Sequence, residues 1–114
     1  MSKTSCVFCK IINGELPSKK VYEDENVLGI EDISPITPIH YLFLPKKHVQ
    51  SLNDLEDMKI VSQLHKALVE VAHREGISER GYRSVINTGE EGGQTVFHLH
   101  LHLLGGKQLS GRIN

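Results

Sequence analysis

Three histidines occupy every second position of Phe97-His98-Leu99-His100-Leu101-His102-Leu103-Leu104, in a chain with seven histidines among 114 residues. Alternation at period two is the strand period, so the imidazoles are expected on one face and Leu99, Leu101 and Leu103 on the other. With a rise of ~3.3 Å per residue, neighbouring imidazoles would be rooted roughly 6.6 Å apart and the outer pair about 13 Å. That spread is too wide for all three to ligate one ion at ~2 Å; two adjacent ones could, or each could have its own task. A merely polar outer face would be served equally by Lys, Thr or Glu, so three titratable rings in a row argue for chemistry. A neutral imidazole, with an ordinary pKa of ~6.5, is a competent nucleophile at phosphorus.

The turn upstream, Thr88-Gly89-Glu90-Glu91-Gly92-Gly93-Gln94-Thr95, suits a phosphate. Gly92 and Gly93 let backbone N–H groups approach an anion without Cβ interference, and Gln94 and Thr95 add neutral donors. A glycine-rich turn alone is more often a plain hairpin connection; beside the histidine strand it gains meaning. A phosphate held there would lie next to His100, and the chemistry that fits is two-step transfer of a nucleotidyl or phosphoryl group through a histidine adduct. A second cluster of donors is Cys6-x-x-Cys9, two thiols within reach of one tetrahedral zinc, for which histidines supply the missing ligands in many structural sites. Two plain reduced thiols are the alternative, and a redox pair lacks the expected strand context. His65 and His73, eight residues apart, read as surface or helix-end residues rather than ligands.

These residues need a scaffold, and its elements are legible. Cys6 to Ile12 reads as a short helix stopping at Asn13-Gly14. Val21-Tyr22 and Val27 to Asp32 read as a hairpin turning at Asp24-Glu25-Asn26, and His40 to Leu44 as a third strand closed by Pro45-Lys46-Lys47. Leu55, Met58, Val61, Leu64, Leu68, Val71 and Ala72 recur at helical spacing, with Asn53 and Glu56 resembling a capping box and Gly76 ending the helix after His73 and Arg74. Tyr82 to Asn87 and Val96 to Leu104 complete five strands. The sum is an α+β domain on a five-stranded antiparallel sheet with one long and one short helix, spanning 1–114 as one domain. One main helix covers one sheet face well, and dimerisation would relieve the other.

Composition narrows the function classes. Thirteen Lys and Arg against fourteen Asp and Glu leave a net charge of -1, without the basic excess that extended nucleic-acid binding needs. No apolar run approaches the ~20 residues of a membrane span, and Met1 to Cys6 is too polar for a signal peptide, so a cytoplasmic protein is expected.

The run His-Leu-His-Leu-His-Leu-Leu resembles the defining pattern of the histidine triad family. Phe8-Cys9-Lys10-Ile11-Ile12, Glu31-Asp32-Ile33-Ser34-Pro35, Pro45-Lys46-Lys47-His48, Gly81-Tyr82-Arg83 and the stretch from Gly92-Gly93-Gln94-Thr95 to Gly105-Gly106 are similar to its nucleotide-binding branch. The resemblance implies a homodimer, joined through the long helix and a strand into a continuous sheet, that hydrolyses adenosine or guanosine 5′-phosphoramidates. It implies His100 as the nucleotidylated nucleophile, His102 at the phosphate, His98 as the first triad member and His40 as a fourth active-site histidine. Asp32 would hold the ribose hydroxyls, Ile33 line the base pocket, and Asn87, Gly93, Gln94 and Thr95 surround the phosphate. Relatives with the cysteine pair place a structural zinc on Cys6, Cys9, His48 and His98, and catalysis requires no cofactor. Two other readings share these residues: a dinucleoside polyphosphate hydrolase from a sister branch, and a nucleotide-sensing scaffold with incidental hydrolysis. The tail from Lys107 to Asn114 is shorter than in many members of the branch.

Overall fold

The computed structural model describes residues 5–113. Helix α1 (Val7–Ile12) is followed by β1 (Lys20–Glu23), β2 (Val27–Glu31), β3 (Ile39–Pro45), helix α2 (Lys59–Arg74), β4 (Arg83–Val85) and β5 (Leu101–Gly105). The sheet runs β1-β2-β3-β5-β4 with every neighbouring pair antiparallel. The five strands and two helices expected from the sequence are all present.

Strand alternation divides the apolar residues between two layers. Val27, Phe43, Leu101 and Leu103 face α2 and pack with its Leu64, Ala67, Leu68, Val71 and Ala72. Leu28, Ile30, Leu42 and Leu44 face the other way, against Cys6, Phe8 and Cys9 of the α1 segment. The second face, expected to lack a cover, is therefore partly covered by the short helix. The β1–β2 turn is closed by Asp24, whose Oδ1 accepts from the backbone N–H groups of Asn26 and Val27 at 2.7 and 2.8 Å.

Two expectations are corrected. The long helix does not start at an Asn53–Glu56 capping box. Ser51 Oγ accepts from Asn53 N–H and caps a single 3-10 turn, Leu52–Asp54, and α2 begins at Lys59, whose N–H donates to Asp57 Oδ1. Leu55 thus precedes the helix, and Met58, expected on its buried face, is 61% exposed. The helix end is as expected: Gly76, at φ +76°, donates to His73 O and Ile77 N–H reaches back to Ala72 O, a Schellman closure that buries Ile77.

The final strand is also shorter than Val96 to Leu104. Its pairing with β3 stops at Phe43↔Leu101. Pro45 has no N–H to continue the ladder, and its carbonyl accepts from the His98 ring at 2.8 Å. Leu99 N–H turns instead to Val49 O at 2.7 Å. Inward packing of Leu99, Leu101 and Leu103 nevertheless survives, so the histidines still lie on the opposite side.

Candidate active site

The three histidines have three different settings. His98 is completely buried; its Nε2–H donates to Pro45 O, which leaves a lone pair on Nδ1. That Nδ1 lies 3.4 Å from Cys6 Sγ, 3.6 Å from Cys9 Sγ and 3.2 Å from His48 Nδ1, and Cys9 Sγ is 3.2 Å from His48 Nδ1. The structure therefore brings Cys6, Cys9, His48 and His98 together, as the sequence resemblance implied. Ligands at zinc–nitrogen and zinc–sulfur bond lengths on a tetrahedron are about 3.3 Å apart for N–N and about 3.5 Å for N–S. The donor set and its separations fit zinc, with the Pro45 carbonyl holding the far nitrogen of His98.

His100 is 93% buried, and its Nδ1–H donates to the His98 carbonyl at 2.7 Å. Its Nε2 then carries the lone pair. His102 shares a cluster with His40 and Asp32. The Ile36 N–H donates to His40 Nδ1 at 3.2 Å, so the His40 proton sits on Nε2, which faces His102 Nδ1 at 3.0 Å and Asp32 Oδ2 at 3.3 Å. With Nδ1 of His102 accepting, its proton lies on Nε2, which is buried without a hydrogen-bond partner. The His100 and His102 rings are 4.9 Å apart. A lone pair and an unused N–H donor thus stand on neighbouring rings.

Burial holds these imidazoles neutral. It pushes His98 and His102 down to about 4, in His102 aided by its histidine neighbours, and it lowers His100 and His40, in both partly offset by the Asp32 carboxylate. Phe8 stacks edge-on against both His98 and His100, with centroids at 5.9 and 5.1 Å, and so holds the plane of the His100 ring from the α1 side.

The turn behind the histidines is built differently from expectation. Gln94 is buried; its Oε1 accepts from Gly89 N–H, and its Nε2 donates to Gln50 O and Val96 O. The backbone N–H groups of Gly93 and Gln94 donate to Glu90 O and Gly89 O. The donors of Gln94 are thus engaged within the protein, while Thr95 lies exposed and the Asn87 side chain sits beside Gly93. Asp32 Oδ1 accepts from Ser34 N–H at 2.8 Å, and Ile33 is 99% exposed, open to a ligand rather than part of the core. His65 bonds Val61 O within α2 and His73 is exposed; neither joins a ligand cluster. Sequence reasoning missed the Ile36 N–H and the Val49 and Gln50 carbonyls, because backbone groups leave no residue-type signal. Phe8 did leave one, an aromatic ring between two cysteines, without showing what it touches.

An antiparallel α+β sheet that presents a histidine-lined segment beside a glycine turn defines the class, and comparison defines the family. The HIT domain model matches residues 13–109. The chain belongs to the HIT, or histidine triad, family. It is 42% identical over 105 residues to the purine nucleoside phosphoramidase of Escherichia coli K12, covering 90% of this chain and 88% of that protein. A histidine triad protein from Clostridium difficile superposes with a TM-score of 0.94 at 47% identity, covering 98% of this chain and 99% of that one. A zinc-bound histidine triad family protein from Mycobacterium smegmatis gives a TM-score of 0.83 at 40% identity, over 99% and 85% of the two chains. Among the described residues no helix is long and apolar enough to cross a membrane.

Proposed function

We propose that the chain is a single, cytoplasmic histidine triad domain that hydrolyses the P–N bond of purine nucleoside 5′-phosphoramidates through a nucleotidyl-histidine intermediate. The observation that carries this reading is the pairing of His100, with its Nδ1–H on a carbonyl and its Nε2 lone pair available, with the buried, unpartnered Nε2–H of His102. In the first step the His100 Nε2 lone pair attacks phosphorus and the P–N bond to the amine breaks. The amine leaves with the bonding pair and takes a proton from water. In the second, water attacks phosphorus, the bond to His100 breaks, and the nucleoside monophosphate is released.

The remaining residues orient the substrate. His102 donates to a non-bridging oxygen, relieving a buried N–H whose lack of a partner costs about 1–3 kcal/mol. His40 keeps that proton on the outer nitrogen of His102. Thr95, Asn87 and the backbone near Gly93 flank the phosphate, Asp32 takes the ribose hydroxyls, and Ile33 meets the base. Similarity to the Escherichia coli phosphoramidase supports the substrate class.

Cys6, Cys9, His48 and His98 would hold a structural zinc; the ion would supply rigidity, with its four ligands leaving no open position for substrate. His98 would then be fixed at its ring, and its carbonyl fixes His100. The zinc-bound Mycobacterium smegmatis relative supports this.

The test is turnover of adenosine 5′-phosphoramidate by the wild type and by His100→Ala, with AMP binding measured alongside. Loss of hydrolysis with binding retained is expected, together with a nucleotidyl adduct on His100 in quenched wild-type reactions. Turnover by His100→Ala would sink the mechanism.

A further inference from the structure

We propose that Gln94 is a positioning residue through which segment 48–51 ties the phosphate turn to the Cys6–Cys9–His48–His98 cluster. The proposal rests on the nucleotide reading above for the role of the turn. Three consecutive residues of this segment reach three different parts of the site. His48 Nδ1 faces Cys9 Sγ and His98 Nδ1, each at 3.2 Å. Val49 O accepts from Leu99 N–H at 2.7 Å, at the start of the histidine run. Gln50 O accepts from Gln94 Nε2 at 2.7 Å. Ser51, buried, anchors the far end by accepting from Asn53 N–H and donating to Asp54 Oδ2.

Residues 48–50 belong to no helix or strand, so no ladder sets their path. An open cavity of about 500 Å³ is lined by His48, Val49 and Gln50 together with Asp54, Leu55 and Ile60. The segment is therefore held by its end anchors and by these cross-bonds, and whatever fixes His48 fixes the positions of the next two carbonyls. Gln94 passes that constraint on. Its amide nitrogen grips Gln50 O and Val96 O, and its oxygen receives Gly89 N–H, so one buried side chain clamps both ends of the turn to the strap. A side chain with both its N–H donors engaged is the fastener of a phosphate cradle rather than one of its contacts.

Occupancy of the cluster should then tighten nucleotide binding, and by linkage a nucleotide should tighten metal binding by the same factor. The experiment uses zinc-loaded and chelator-stripped wild type and Gln94→Met, with metal content checked by elemental analysis. AMP affinity is read by calorimetry, zinc affinity by indicator competition with and without AMP, and amide exchange at Gly89, Gly93 and Gln94 by NMR. In the wild type, stripping zinc is expected to weaken AMP about tenfold, within the usual range for coupling between two binding sites, and to speed exchange of the three amides. In Gln94→Met exchange should be fast in both states and the coupling factor should fall to about one. Gln94→Glu, which keeps the acceptor for Gly89 but loses both donors, should behave in the same way and serves if Gln94→Met does not fold. Coupling undiminished in both variants, turn amides indifferent to zinc in the wild type, or a wild type that takes up no zinc would each overturn the proposal. Failure of the wild type to bind AMP would instead defeat the nucleotide reading, while the exchange measurements would still decide the strap.

Discussion

Each histidine of the triad is defined by which nitrogen the protein has already engaged. His98 gives Nε2–H to Pro45 and turns Nδ1 to the cysteines, whereas His100 gives Nδ1–H to a carbonyl and leaves the lone pair on Nε2. Asp32 still has acceptor capacity after bonding Ser34 N–H and facing His40. A carboxylate that loses a hydroxyl partner in a partly buried site costs about 1–3 kcal/mol, so 2′-deoxyadenosine phosphoramidate should show kcat/KM lower by about tenfold or more. Equal rates for the ribo and deoxy substrates would remove Asp32 from sugar recognition. A second consequence concerns acid. His102, held down to about 4, and His40, also lowered, are neutral when folded, whereas an unfolded histidine titrates near ~6.5. Between those values the unfolded chain binds more protons than the folded one. The contribution of each is therefore complete above about pH 6.5 and is lost at lower pH, for His102 as pH falls towards 4. Melting temperature measured from pH 7.5 to 4 should fall across that interval, and a flat profile would contradict the neutral pair.

The segment carrying the three histidines is half strand and half irregular, and that division has a cause. Where β3 ends in Pro45 the ladder cannot continue, so Leu99 bonds Val49 and the His98 and His100 rings turn to different partners. A regular strand through His98 would space the rings evenly and give none of them this asymmetry. The turn before it is equally constrained: a Cβ at Gly92 would run into the Thr88 carbonyl, backbone that cannot give way without opening the turn. Gly92→Ala should therefore weaken AMP binding by about tenfold and lower stability by about 1–3 kcal/mol, the usual cost of local backbone strain. Calorimetric titration and thermal melting check both, and unchanged AMP affinity would show that the turn's shape does not matter to the phosphate.

With order β1-β2-β3-β5-β4, the three-residue strand β4 is an edge, and helix α2 leaves Val69 51% exposed. An edge strand and an apolar helix residue together suit a second copy of the chain related by a two-fold axis. Light scattering at micromolar concentration is expected to give the mass of a dimer, and Val69→Asp to shift it towards the monomer. A wild-type monomer under those conditions would refute the assembly.

How much was legible from residues alone follows from what kind of interaction each feature depends on. Period-two alternation in residues 99–103 and period-three-and-four spacing in residues 64–72 are local consequences of backbone geometry, so the sheet, the two helices and the face bearing the histidines could be read directly. Gly76 ended α2 as its position implied, for the same local reason. The start of α2 could not be read, because Ser51, Asn53 and Asp57 are all capping residues and only the folded chain selects among them. The sequence also put Cys6, Cys9, His48 and His98 forward as one group through family resemblance, but their meeting depends on contacts up to 92 residues apart. Which nitrogen of His100 is free, which donors of Gln94 are engaged and which carbonyls hold them were decided by tertiary structure alone. Those choices are made by backbone groups, and every residue carries the same ones, so only their placement in space distinguishes Val49, Gln50 and Pro45 from any other carbonyl.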